Sequence, residues 1–320
     1  MNRWLRRIGL VLGVAVLAAA GVAVWEDEPM KARTRPAWLT AELYPFEDRW
    51  LDIDGHAVHY VDEGRGPVLL LLHGNPTWSF LYRNIIQALS GSYRCIAIDY
   101  PGFGLSIAKE GYDFTPRAHS QVVESLALAL DLKDMTLMVQ DWGGPIGLGF
   151  AGRHPERVRA LVIGNTWAWP VNGDPRFERF SGLMGGAVGR FFIRNYNAFV
   201  NLLIPLGTAR SLSRDEMRAY RAPFPTRASR RPTAIFPREI IASREYLAEV
   251  EAHLPRLADK PALIVWGAKD PAFREPERVR FEQLFRHHRT VVLENARHFI
   301  QEDAAARIAQ EIRAFGRRGE

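Results

Sequence analysis

Met135-Thr136-Leu137-Met138-Val139-Gln140-Asp141-Trp142-Gly143-Gly144-Pro145 passes from an apolar run of strand length into a compact turn with small neighbours. A helical pattern then runs from Pro145 to Arg153. Strand, sharp turn and helix in this order form a nucleophile elbow, whose tip projects beyond the end of a sheet. The usual tip residue is Ser; here it is Asp141. The change alters the reaction. A serine attacks a carbonyl and becomes an acyl ester, whereas a carboxylate attacks a saturated carbon and becomes an alkyl ester.

Outward from this stretch the chain keeps alternating. Trp50–Ile53 and Ala57–Val61 flank Asp54-Gly55, a hairpin signal. Val68–Leu72 is continuously apolar, as a strand covered on both faces must be. Helical periodicity follows from Thr77 to Leu89, then an apolar run at Cys95–Ile98, then a helix over Pro116–Leu130 with Thr115 as N-cap. Val158–Ile163 is a further strand. From about Trp167 to about Val250 the β-type runs stop, and short helical segments rich in Gly, Pro, Phe and Arg take over. Strand patterns return at Ala262–Trp266 and Val291–Leu293, with helices near Glu277–Phe285 and from Asp303 to Phe315. Repeated strand–helix order predicts an α/β fold: a mostly parallel sheet flanked by helices, with an antiparallel edge. The expected organisation is a leader at 1–30, a core from 31–166 and 251–320, and a helical cap inserted at 167–250.

Composition narrows the function classes. Of 320 residues 47% are hydrophobic and 24% charged, enough apolar material for a full core. A single cysteine, Cys95, excludes an internal disulfide or a Cys-cluster zinc site. The net charge is +6, but Arg3, Arg6 and Arg7 supply three of those units and no Lys/Arg block occurs, so nucleic acid is not an expected partner. Those arginines precede an uncharged run, Ile8 to Trp25, and Glu26, Asp27 and Glu28 follow it. Residues 8–25 therefore read as a signal anchor or signal peptide, N-terminus inside and body exported to the periplasmic side; a misannotated start would leave the chain cytoplasmic. Oligomeric state, including a homo-oligomer, stays open.

In open α/β sheets reactive residues gather beyond the carboxyl ends of the strands. Three such ends carry a candidate: Asp141 after Met135–Val139, Asp270 after Ala262–Trp266, and His298 four residues beyond Val291–Leu293. An alkyl ester on Asp141 needs a general base to activate water, the role for His298, and the base needs an orienting acid, the role for Asp270. Singly, Asp141 also reads as an N-cap, Asp270 before Pro271 as a turn residue, and His298 as structural. Together their order, nucleophile–acid–base, is that of the α/β-hydrolase fold. No His/Asp/Glu spacing suggests a metal.

At these residues the sequence resembles the haloalkane dehalogenases of the α/β-hydrolase superfamily. The match rests on His73-Gly74-Asn75-Pro76-Thr77-Trp78-Ser79, Gln140–Pro145, Trp266-Gly267-Ala268-Lys269-Asp270-Pro271-Ala272-Phe273 and His298-Phe299-Ile300-Gln301-Glu302-Asp303. It implies a hydrolase core with a helical cap and no cofactor. It also implies that Asp141 displaces halide from a small halogenated aliphatic substrate, with His298-activated water completing the turnover. The Asn75 amide and the Trp142 indole N–H would hold the halide, and the backbone N–H groups of Asn75 and Trp142 would form the oxyanion hole. An acid after the sixth strand, used by one subfamily, falls near Asn165 here, which leaves Asp270. The combination Asn75, Trp142 and Asp270 resembles the subfamily with an Asn–Trp halide pair and its acid after strand seven.

An epoxide hydrolase shares the Asp/His/Asp set and would need cap tyrosines, for which Tyr196 and Tyr220 are candidates. A haloacid dehalogenase would need cationic clamps, and Trp142 stands where an Arg would be expected. A ligand receptor or a cofactor-free oxygenase is the reading from another class. Phe177, Phe180, Phe191 and Phe192 are candidate pocket walls, at least half of them expected to be core.

Overall fold

The computed structural model describes residues 33–317. The apolar leader lies outside them; among the described residues no helix is long and apolar enough to cross a membrane.

A hairpin precedes the parallel strands. Asp54 and Gly55 both take positive φ, 49° and 84°, as a two-residue turn between right-twisted strands requires. They join β1 (Arg49–Ile53) to β2 (His56–Glu63). Then follow β3 (Val68–Leu72), β4 (Arg94–Ile98), β5 (Met135–Asp141), β6 (Val158–Thr166), β7 (Ala262–Gly267) and β8 (His288–Leu293). All eight make one sheet, ordered β1-β2-β4-β3-β5-β6-β7-β8. The pairs β1–β2 and β2–β4 are antiparallel and the others parallel. The chain leaves β3 toward β4 on one side and leaves β5 toward β6 on the other. The strand order therefore reverses between β3 and β5, and a crevice opens beyond their carboxyl ends, where α/β proteins bind ligands.

Helices cover both faces. Before β6 come α1 (Arg83–Leu89), α2 (Pro116–Ala129) and α3 (Gly143–Arg153). The start of α2 is set by Thr115, whose hydroxyl accepts the Ala118 N–H at 3.3 Å, and by Pro116 at the first helical position. Between β6 and β7 run α4 (Pro175–Gly185), α5 (Ala187–Tyr196), α6 (Ala198–Leu206), α7 (Arg214–Arg221), α8 (Arg231–Ala242) and α9 (Arg244–His253). The last described helices are α10 (Glu275–Leu284) before β8 and α11 (Ile300–Gly316) after it. Leu69–Leu72, Leu137–Val139 and Ala262–Val265 have no accessible surface, which is why these strands read as unbroken apolar runs.

The differences from the sequence reading have local causes. β5 runs two residues past Val139 because polar Asp141 still pairs with Thr166 of β6. β8 begins at His288 rather than Val291, since an edge strand tolerates polar residues at half-exposed positions. The stretch after Thr77 opens with a 3-10 turn, Ser79–Tyr82, whose first N–H is held at 2.7 Å by the buried Asp99 carboxylate at the end of β4.

Candidate active site

The tip of the elbow is a strained residue. Asp141 has φ +51°, a left-handed conformation costing a side chain on the order of 1–3 kcal/mol. The Thr166 hydroxyl donates to the Asp141 carbonyl at 2.5 Å and helps hold it there. Small neighbours are needed for contact rather than freedom. A Cβ on Gly74 would sit 2.6 Å from Asp141 Cγ, so the loop after β3 approaches the carboxylate only because residue 74 has no side chain.

That approach brings in the donors. The Asn75 backbone N–H donates to Asp141 Oδ1 at 2.7 Å, and the Trp142 backbone N–H also donates to this carboxylate. Asp141 Oδ2 faces His298 Nε2 at 3.6 Å. On the far side of the ring, His298 Nδ1–H donates to Asp270 Oδ2 at 2.9 Å. Asp270 Oδ1 accepts the Ala272 N–H at 2.7 Å, so this aspartate both shapes its own turn and orients the imidazole. Its carboxylate is fully buried. Burial pushes the Asp141 carboxyl above its ordinary range, although His298 and the two N–H donors pull it back. Burial pushes His298 down, but the Asp270 and Asp141 carboxylates outweigh it and leave the imidazole raised.

The remaining sequence candidates fall into place around this line. Asn75 is buried; its side-chain N–H lies 3.5 Å from the Thr233 carbonyl on α8, and its Oδ1 has no partner. The Trp142 ring lies 4.6 Å from Trp167 and 5.2 Å from Phe236, between centroids. Phe273 stacks on Trp167 at 5.0 Å and reaches His298 at 5.7 Å, which completes an aromatic, water-poor wall. His73 is structural: it donates from Nδ1 to the Gly74 carbonyl and accepts the Tyr100 N–H, and burial holds its pKa down at about 4. Asn165 joins β6 to β7, accepting the Gly267 N–H at 2.7 Å. Of the four phenylalanines, Phe177 packs on Trp167 and Phe273, whereas Phe191 is 52% exposed beside Phe192. The two tyrosines do not converge on Asp141 as proton donors. Tyr220 donates its hydroxyl to Glu302, and Tyr196 is surface-exposed.

Sequence reasoning missed three residues. Gln140, fully buried, places its side-chain nitrogen 3.1 Å from both His298 Nε2 and the His298 carbonyl. A polar residue closing an apolar strand was the available signal. Thr166 and Phe236 carried none, one at the end of a strand, the other inside a proline-interrupted helix.

Residues 67–305 match the α/β hydrolase fold family. Haloalkane dehalogenase 2 of Mycobacterium tuberculosis is 46% identical over 273 residues, covering 85% of this chain and 95% of that protein. The chain belongs to the haloalkane dehalogenase family. Among solved members, haloalkane dehalogenase DbeA from Bradyrhizobium elkani superposes with a TM-score of 0.78 at 29% identity, covering 84% of this chain and 97% of that one. A cis-3-alkyl-4-alkyloxetan-2-one decarboxylase of Shewanella oneidensis is 35% identical, covering 85% of this chain and 89% of its own length.

Proposed function

We propose that the chain hydrolyses haloalkanes to an alcohol, a halide ion and a proton. The observation that carries this is the split use of one carboxylate. Asp141 Oδ1 is held by the Asn75 backbone N–H, while Oδ2 faces His298, itself backed by Asp270. Oδ2 attacks the carbon carrying the halogen from the side opposite the leaving group, and the carbon–halogen bond breaks as the ester bond forms. The halide leaves between the Asn75 amide and the Trp142 indole, neutral donors that stabilise a weakly basic anion and still release it. Oδ1 becomes the ester carbonyl oxygen. His298 then removes a proton from water as it adds to that carbonyl carbon. The Asn75 N–H already points at the oxygen that gains charge and the Trp142 N–H donates to the same carboxylate, donors worth about 3 kcal/mol each in such a step. Collapse expels the alkoxide, which takes the proton back from His298 and leaves as the alcohol, and Asp141 returns to its carboxylate by releasing the second water proton.

In this reading residues 167–250 form the cap over a core of 31–166 and 251–320, and residues 8–25 act as a signal anchor or signal peptide. Fractionation of cells producing the full chain tests the latter: recovery in the cytosol at full length refutes it.

The test of the reaction is halide release from bromoalkanes by residues 31–320. Release that disappears in Asp141→Ala is expected. His298→Phe should stall as an alkyl-enzyme heavier by the alkyl group in intact-mass spectra. Folded protein releasing no halide from any member of the panel refutes the reading.

A second reading is favoured by the decarboxylase relative at 35% identity. The same Oδ2 attack on C4 of a four-membered lactone would break the C4–O bond and free a carboxylate. Loss of carbon dioxide from C3 would then expel Asp141 and leave an alkene. This sequence consumes no water, so His298→Phe should still make alkene from a 3,4-dialkyl oxetan-2-one while failing to complete haloalkane turnover.

A further inference from the structure

The base nitrogen of His298 has a neighbour for which the hydrolytic mechanism does not account. Gln140 lies directly before the nucleophile, yet its side chain points along the sheet edge to the base. Its amide nitrogen is 3.1 Å from His298 Nε2 and 3.1 Å from the His298 carbonyl oxygen. A backbone carbonyl only accepts, so the contact with His298 O fixes the amide with its NH2 group toward the histidine. One hydrogen of that NH2 serves the carbonyl. The other serves Nε2, which must then carry a lone pair. This agrees with the other side of the ring, where Nδ1–H donates to Asp270. Gln140 Oε1 is buried without a partner, an unfavourable arrangement for a group that had only to fill space.

The tautomer matters because of what else faces the ring. The ionisable groups facing His298 are Asp270 from the loop after β7 and Asp141 from the elbow, and both favour imidazolium. An imidazolium in the resting site would pair with Asp141 Oδ2 across 3.6 Å, and would blunt the nucleophile while leaving no base. The Gln140 N–H opposes that state, because a protonated Nε2 cannot accept it.

We propose that Gln140 is a positioning residue that holds His298 neutral in the resting site by donating to its Nε2 lone pair. This rests on the hydrolytic reading above and deepens it. Once Asp141 is alkylated its charge is gone and Asp270 alone favours imidazolium; water then displaces the Gln140 N–H from Nε2.

The experiment is the pH dependence of kcat/KM for a bromoalkane in the parent, Gln140→Leu and Gln140→Glu. Neutral His298 is the active form, so raising its pKa moves the acid limb to higher pH. Removal of one hydrogen bond to the neutral form should move the limb up by about one unit in Gln140→Leu. That is about a tenfold loss below the limb, with near-parental rates on the alkaline plateau. A carboxylate at 140 favours imidazolium directly, so Gln140→Glu should shift the limb further in the same direction. Should the leucine variant fail to fold, Gln140→Met, of similar length and without the N–H, carries the same test. A loss of rate equal at every pH, with the limb unmoved, overturns the proposal and leaves Gln140 a packing residue. A parent that releases no halide at any pH is a separate outcome: it refutes the hydrolytic reading itself.

Discussion

Gly74→Ala is the most informative single methyl group to add. A Cβ there would stand 2.6 Å from Asp141 Cγ, and nearer still to Oδ1 and Cβ of the same side chain. Ordinary contact begins at 3.4 Å, so Cγ must retreat by about 0.8 Å. The carboxylate cannot move that far and keep the 2.7 Å bond from Asn75 and the 3.6 Å approach to His298. A misplacement near 1 Å at a reacting group costs about a hundredfold in rate. The loss should fall on kcat/KM for bromoalkane hydrolysis, measured by halide release. Gly91→Ala is the matched control, because nothing lies within 4 Å of its Cβ position. If Gly74→Ala folds with parental circular dichroism and stays within threefold of parental kcat/KM, the claim that the β3 loop and the nucleophile are in steric register is wrong.

Two further predictions concern the clasp between the inserted helices and the His298 segment. Glu302 directly follows that segment, is almost fully buried, and pairs with the buried Arg83 at 2.6 Å, with Arg210, and with the Tyr220 hydroxyl. Glu302→Ala leaves the Arg83 cation with Glu216 alone and should lower unfolding free energy by about 3 kcal/mol in urea titrations; a loss under about 1 kcal/mol refutes the pairing. Glu216 joins the same cluster through Arg83 and Arg210, and its pKa is held at about 2. Burial alone would raise it, but the Arg210 hydrogen bond, the Ser213 N–H and the Arg83 charge outweigh that. A depressed carboxylate stabilises above its unfolded value of 4.5 and loses that contribution as pH falls toward 2. Between those limits Glu216→Gln should show an acid destabilisation smaller by about 3 kcal/mol than the parent, and identical urea midpoints through that window would contradict it.

The parts legible in the sequence were those where one physical demand acts alone. Val68–Leu72 reads as a strand because both its faces are covered, and Asp54-Gly55 reads as a turn because both residues take positive φ. Asp141, Asp270 and His298 are legible as polar residues at or just beyond the ends of apolar runs. Gln140 shares that placement but its role is not legible, because its partner lies 158 residues away and no local pattern encodes that contact. The inserted helices were the least legible. Pro205 and Pro237 lie inside α6 and α8, and the usual stop signal therefore falls mid-helix. Their aromatic side chains divide between core and surface, as Phe177 and Phe191 show, in a way fixed only by tertiary packing.

In the proposed mechanism the base comes from the loop between β8 and α11. On a ribosome adding about 5–20 residues per second, Asp141 is made roughly 8 to 30 s before His298. During that interval the loop bearing Asn75 and the elbow can meet, since their contact spans only 66 residues. The imidazole joins them only after β8 has been laid down and α11 has docked, through pairings of long sequence separation that form slowly. Nascent or C-terminally clipped chains would thus carry a nucleophile without its base, able to be alkylated once and unable to turn over.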